Sequence, residues 1–216
     1  MFTFTQDTSQ LRPLKEDESV DTCLTMSAST GQQLISEFVV ALAAKQPTPG
    51  GGAAAAVGAA VGAAAAAMAA AYTTRKKDQE SGAAAAAEAL IATLDTDAAL
   101  AAADTDAAAY ADLQRSWKDT EMSAEEKASI EARALAVPVS LIERCHAYIV
   151  AVKDFLPLCN PNITSDAKVG IHQLAGAARA AYQTALVNSP PAEVIERIRG
   201  LLREIRDIEE NLLGLA

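Results

Sequence analysis

Aromatic residues make up only 4% of this 216-residue chain, so its core cannot be built around a few large anchors. Half of the residues are still hydrophobic, enough for one domain of upper-middle size, with alanine supplying much of the count. Small side chains let helices approach closely and fill little volume each, so such a core needs many helix contacts. Strand-forming residues are sparse and scattered, which argues against a sheet and predicts an all-α chain. Basic residues are in deficit, 18 Lys and Arg against 28 Asp and Glu for a net charge of −10. Phosphate backbones need clustered cations, so nucleic acid is not an expected partner. Cysteine is confined to Cys23, Cys145 and Cys159. An odd number without C-x-x-C spacing suits neither a disulfide scaffold nor a zinc knuckle and fits a reducing compartment, the cytoplasm.

Other signals are missing as well. Residues 1–28 have no continuous apolar segment and carry Asp7, Glu16, Asp17, Glu18 and Asp21, which reads as a poorly ordered N-terminal arm rather than a secretory or transit sequence. Residues 29–216 are then a single domain. The stretch Ala53 to Ala71 has nearly the length of a membrane span and is followed by Arg75-Lys76-Lys77. Only Val57, Val61 and Met68 in it are strongly apolar, so insertion is weakly driven and no membrane is expected. There is no H-E-x-x-H pair, G-x-S-x-G elbow or Walker A loop. His146 and His172 therefore read as satisfied or exposed side chains, and no metal site is expected.

What the chain does have is Pro47-Thr48-Pro49-Gly50-Gly51-Gly52, set directly before 19 residues, Ala53 to Ala71, of which 14 are alanine. Three glycines after two prolines give a backbone able to take positive φ and lie open to a ligand, and the alanines dictate helix. A helix N-terminus presents unpaired N–H groups and partial positive charge, which attract carboxylates, phosphates or polarised carbonyls. Gly58 and Gly62, four apart on one face, predict a buried central helix approached closely by another backbone.

The remaining elements follow from caps and periodicity. A first helix is predicted from Thr30, where Thr30-x-x-Gln33 has the form of a capping box, with Leu34, Phe38 and Leu42 as its apolar stripe. Helices over 81–103 and 104–116 are predicted with a break near the two Asp-Thr-Asp-Ala-Ala copies at Asp95 and Asp104, whose carboxylates read as a solvated face. Ser123-x-x-Glu126 is a second capping box, opening a long helix to about Leu156 that Pro138 should kink. The polar segment Asn160 to Asp166 caps a helix from Thr164 or Ser165. After Ser189-Pro190-Pro191, a seam of Val194, Ile198, Leu201, Ile205, Ile208 and Leu212 calls for a partner helix, in the same subunit or across a two-fold axis. The expectation is an all-α bundle of about six to seven helices, with a long kinked helix and an Ala/Gly-rich central one.

The stretch Phe38 to Met68, with its proline-glycine loop, resembles the opening of the formiminotransferase-cyclodeaminase C-terminal domain family, which includes stand-alone methenyltetrahydrofolate cyclohydrolases. Later features follow in similar order: Lys76-Lys77, Asp104-x-Asp106 with Tyr110 before Lys118, Ala136-Val137-Pro138, Asn160-x-Asn162 and Ser165-Asp166. Coverage is about Leu34 to Leu213. The resemblance implies a helical bundle, usually a homodimer, acting at the carbon between N5 and N10 of tetrahydrofolate as a cyclodeaminase or cyclohydrolase. It implies no cofactor beyond the folate substrate. Asp166 is the first candidate for proton transfer or pterin recognition, Asp106 the second, with Lys118, Lys76 and Lys77 as cationic contacts. Pro49, Gly50, Gly51, Gly52, Asn160, Asn162 and Ser165 would line the substrate site. The sequence departs from the family pattern at Ser116-Trp117, where leucine and proline are usual, at Ala53, where serine is usual, and in a segment before Lys76 about one residue shorter. The alternative reading is an inactive folate-binding or oligomerisation module of the same fold.

Overall fold

The structure, a computed structural model, describes residues 29–215; the N-terminal arm and Cys23 lie outside the described residues. Among these residues there are only helices: α1 (Ile35–Ala43), α2 (Gly51–Ala71), α3 (Lys76–Glu80), α4 (Ala83–Thr93), α5 (Thr96–Lys118), α6 (Ala124–Phe155), α7 (Thr164–Val187) and α8 (Ala192–Leu213). The all-α expectation is met, with seven helices of nine residues or more and the five-residue α3.

The centre of the bundle is α2, packed against α7, α5 and α4. Eleven of its residues are buried, all of them alanine or glycine, so neighbouring backbones come close. The tightest point is the crossing of α2 and α7. A Cβ placed on Gly62 would lie 2.9 Å from the Leu174 nitrogen, and one on Gly170 would lie 2.8 Å from the Gly62 carbonyl oxygen. Gly58 is looser, facing the Ala177 methyl at 3.8 Å. The two helices run antiparallel, since Gly51 faces Thr184 at one end and Asn160 bonds Tyr72 and Thr73 at the other.

Larger side chains fill the layer where α6, α7 and α8 meet: Ile142, Ile149, Ile171, Leu174, Ile198 and Ile205 are essentially inaccessible. The α8 seam therefore finds its partners within the subunit, on α6 and α7. Ion pairs border it, His146 with Glu204 and His172 with Glu209, so both histidines have protein partners. α6 continues through Pro138 and opens with the expected capping box, in which Ser123 N–H donates to Glu126 and Glu126 N–H to the Ser123 hydroxyl. α2 and α6 are long and apolar enough to cross a membrane, yet 56% and 44% of their most apolar windows is buried inside the bundle. Cys145 is buried, which pushes its thiol up to about 12.

Two predicted boundaries differ. Thr30 does not cap α1: its N–H and hydroxyl both donate to Asp104 Oδ1, at 2.9 and 2.7 Å, leaving one 3-10 turn over Thr30–Gln32. The helix starts at Ile35, where Glu37 accepts from the Leu34 N–H instead. The break between α4 and α5 falls at Leu94–Asp95, because the Asp95 carboxylate accepts from Ala98 N–H and caps α5. The second Asp-Thr-Asp copy stays inside α5, freeing Asp104 to hold Thr30.

Candidate functional site

At the N-terminal end of α2 the chain leaves a cleft of about 230 Å³ between the glycine loop, α5, α6 and the end of α7. The Thr48–Pro49 peptide is cis, and Gly50 is extended (φ −120, ψ −162) with no side chain to cap the helix. The loop glycines do not use positive φ; among the described residues only Gly82, Gly214 and Ser189 do. What Gly52 supplies is room. A Cβ there would lie 2.0 Å from Asp106 Oδ1 and 2.3 Å from its carboxyl carbon, so the Asp106 carboxylate occupies the place any side chain at 52 would take.

The charge attracted by the helix end is therefore the protein's own. Asp106 takes a hydrogen bond from the Ala53 N–H, which favours its ionised form, while burial disfavours it more strongly and pushes the carboxyl above its usual range. A carboxyl displaced in this direction, on the wall of a cleft, holds its proton more readily than an exposed aspartate and is suited to proton transfer. Ala109, Tyr110, Leu113 and Trp117 continue from Asp106 along the same face of α5, and Thr184, Val187 and Asn188 close the opposite side. Lys118, the residue after Trp117, lies on a separate shallow hollow with Arg115 and Asp119.

The other candidate residues gather at the far end of α2, which climbs about 27 Å from Gly52 to Ala70. Asn160 is buried there and fully engaged. Its side-chain amide donates to the Tyr72 carbonyl, its N–H to the Thr73 hydroxyl, and its Oδ1 accepts from the Asn162 N–H. Thr164 donates to its carbonyl at 3.0 Å, so Asn160 fastens the start of α7 to the end of α2. Ser165 donates to Asp166 in the first turn of α7. Lys76 and Lys77 are exposed on α3, Lys76 beside Glu80 at 3.8 Å. The structure thus brings Gly50, Gly51, Gly52 and Asp106 together, with Pro49 in the loop, and leaves Lys76, Lys77, Asn160, Asn162, Ser165 and Asp166 at the opposite end of α2.

Sequence reasoning passed over two features of this second end. Thr73 is fully buried beneath Asn160. Arg75 holds Asp78 through its backbone N–H and two guanidinium nitrogens, which keeps the Asp78 carboxyl below its ordinary range. The spacing of Arg75 and Asp78 is the available signal, as an i, i+3 pair at the start of a short helix.

Comparison with known proteins agrees with this architecture. Residues 34–207 match the profile of a family described as formiminotransferase-cyclodeaminase. None of the curated proteins matches the chain. Among solved structures, the chain is similar to the formiminotetrahydrofolate cyclodeaminase of Thermotoga maritima, at 22% identity and a TM-score of 0.65, over 84% of this chain and 92% of that one. That likeness establishes the fold.

Proposed function

The chain belongs to the formiminotransferase-cyclodeaminase family, and from that premise we propose that it is a cytoplasmic tetrahydrofolate one-carbon enzyme, a formiminotetrahydrofolate cyclodeaminase or a methenyltetrahydrofolate cyclohydrolase. Cyclodeaminase is the first reading, because the solved relative carries that activity in its name. The observation that carries the proposal is the half-buried Asp106 carboxyl set against Gly52 on the wall of a cleft. In cyclodeamination N10 attacks the formimino carbon, the N10 proton leaves, and the nitrogen of the tetrahedral intermediate departs as ammonia after gaining a proton. In this reading Asp106 takes the first proton and returns it to the departing nitrogen. In the cyclohydrolase direction the same carboxyl serves water attack on the methenyl carbon. The substrate is a small molecule, the only cofactor-like group is the folate itself, and neither metal, nucleic acid nor membrane takes part in this reading.

The test is turnover. With 5-formiminotetrahydrofolate, formation of the near-ultraviolet absorbance of 5,10-methenyltetrahydrofolate marks the cyclodeaminase; its loss from added 5,10-methenyltetrahydrofolate marks the cyclohydrolase. Rates equal to the uncatalysed ones with both would leave the inactive folate-binding module. Gly52→Ala is expected to lower kcat roughly 10²-fold with the melting temperature little changed, because the new methyl must displace Asp106 from its place.

The working unit in this reading is a homodimer. Val61, Met68 and Tyr72 leave an apolar stripe on α2 that is 54%, 38% and 60% exposed. An antiparallel copy laid on it would set the Lys76 and Asp166 end of one protomer beside the glycine loop of its partner, joining the two groups of candidate residues. Val61→Glu is then expected to convert a dimer to a monomer in sedimentation velocity at micromolar concentration and to lower turnover with it. A wild-type monomer at all concentrations would sink this arrangement.

A further inference from the structure

The proton shuttle occupies one end of the cleft, and the other end carries a side chain that no proton transfer requires. Trp117 is 64% exposed, though large aromatic side chains are mostly buried. It shares one face of α5 with Asp106, Ala109, Tyr110 and Leu113, all lining the same cleft. Its ring meets Tyr110 edge-on, with centroids 6.4 Å apart and planes at 83°, an arrangement that holds the indole in place while leaving it accessible. The backbone rises about 16 Å from Asp106 to Trp117, and the indole leans back over that rise to meet Tyr110, one turn from Asp106. The trough between Asp106 and Trp117 is polar at the carboxyl, apolar along Ala109 and Leu113, and aromatic at its mouth.

Such a trough suits a ligand with two ring systems in series. We infer that Trp117 is a specificity-determining residue that stacks on the p-aminobenzoyl ring of a folate whose pterin head lies at Asp106 and the glycine loop. This rests on the folate reading above. The pterin must sit at the Asp106 end, because the reacting carbon bridges N5 and N10 and the proton shuttle is there. The second ring then extends along α5 toward Trp117. Lys118, the next residue, is exposed and lines the neighbouring hollow rather than the trough, so it takes no part in the stacking.

Calorimetric titration of the full chain tests this without recourse to turnover, using 5-formyltetrahydrofolate and the corresponding 5-formyl tetrahydropterin that lacks the p-aminobenzoylglutamate arm. Trp117→Ala is expected to weaken the folate roughly tenfold and leave the truncated pterin unchanged. Trp117→Leu should behave like the alanine variant, and Trp117→Phe should stay within about threefold of wild type. Folate affinity unchanged in the alanine and leucine variants, or equal losses for both ligands, overturns the stacking role while the folate reading stands. Wild-type protein that binds neither ligand overturns the folate reading and the inference with it.

Discussion

Asp106→Asn is expected to lower kcat roughly 10²- to 10⁴-fold on whichever of the two folate substrates the enzyme turns over, with the bundle intact. The carboxamide has nearly the same volume, and its oxygen can still accept from the Ala53 N–H, so the wall of the cleft survives. It cannot take up or return a proton. The variant also has a predicted stability signature. Burial raises the Asp106 carboxyl above its ordinary range in the folded chain, so between the unfolded and folded values the native state holds more of this proton than the unfolded one. Stability from this group therefore falls as pH rises through that window. Asn removes the ionisation, so the variant should melt at the same temperature as wild type or higher at neutral pH, and the advantage should vanish in acid. Turnover within twofold of wild type in Asp106→Asn removes this carboxyl from the chemistry. A higher melting temperature together with lost turnover is the pattern of a site held against its own stability.

Gly170→Val should produce a large loss of stability, about 3 kcal/mol. Its Cβ would lie 2.8 Å from the Gly62 carbonyl oxygen and 3.0 Å from the Ala66 nitrogen. Those are backbone atoms of the central helix, which cannot rotate away as a flexible side chain can. The crossing must open, and the alanine contacts along α2 and α7 loosen with it. For a chain of this size such a loss corresponds to a fall of roughly 10 °C in Tm. Gly176→Ala on the same helix is the control, because nothing lies within 4 Å of its Cβ position. There the helix propensity of alanine acts unopposed and should stabilise by about 0.5–1 kcal/mol. If both substitutions had the same sign, close backbone approach at Gly170 would not be what shapes the bundle.

Much of the fold was legible because its signals are local. Ser123 and Glu126 form the box that their spacing announces. The run after Gly50 is helical from Gly51, and the turn residues before Thr164 end where α7 begins. Expectations failed where a distant residue competed for a local partner. Thr30 had the right neighbour in Gln33 but bonded Asp104 instead. The glycine loop reads in sequence as an open anion cradle, yet Asp106 from α5 already takes the Ala53 N–H and the space beside Gly52.

The candidate site divides along the same line. Its residue types were readable from the sequence, since a proline-glycine loop before an alanine helix, a paired Asp motif and a dense capping segment each carry their own signal. Their grouping was not, because Asp106 and Asp166 look equivalent in sequence while one lies in the cleft and the other at the far end of α2. By itself the sequence determined an all-helical chain, the starts of α2, α6 and α7 and the seam of α8, because propensity, caps and periodicity act over a few turns. Only the tertiary structure decided that α7 runs antiparallel to α2, that Gly52 is small to admit Asp106, and that Trp117 shares a cleft with both. An alanine-rich surface packs closely in many registers, and the register chosen, through the Gly62–Gly170 crossing, sets which helix ends meet.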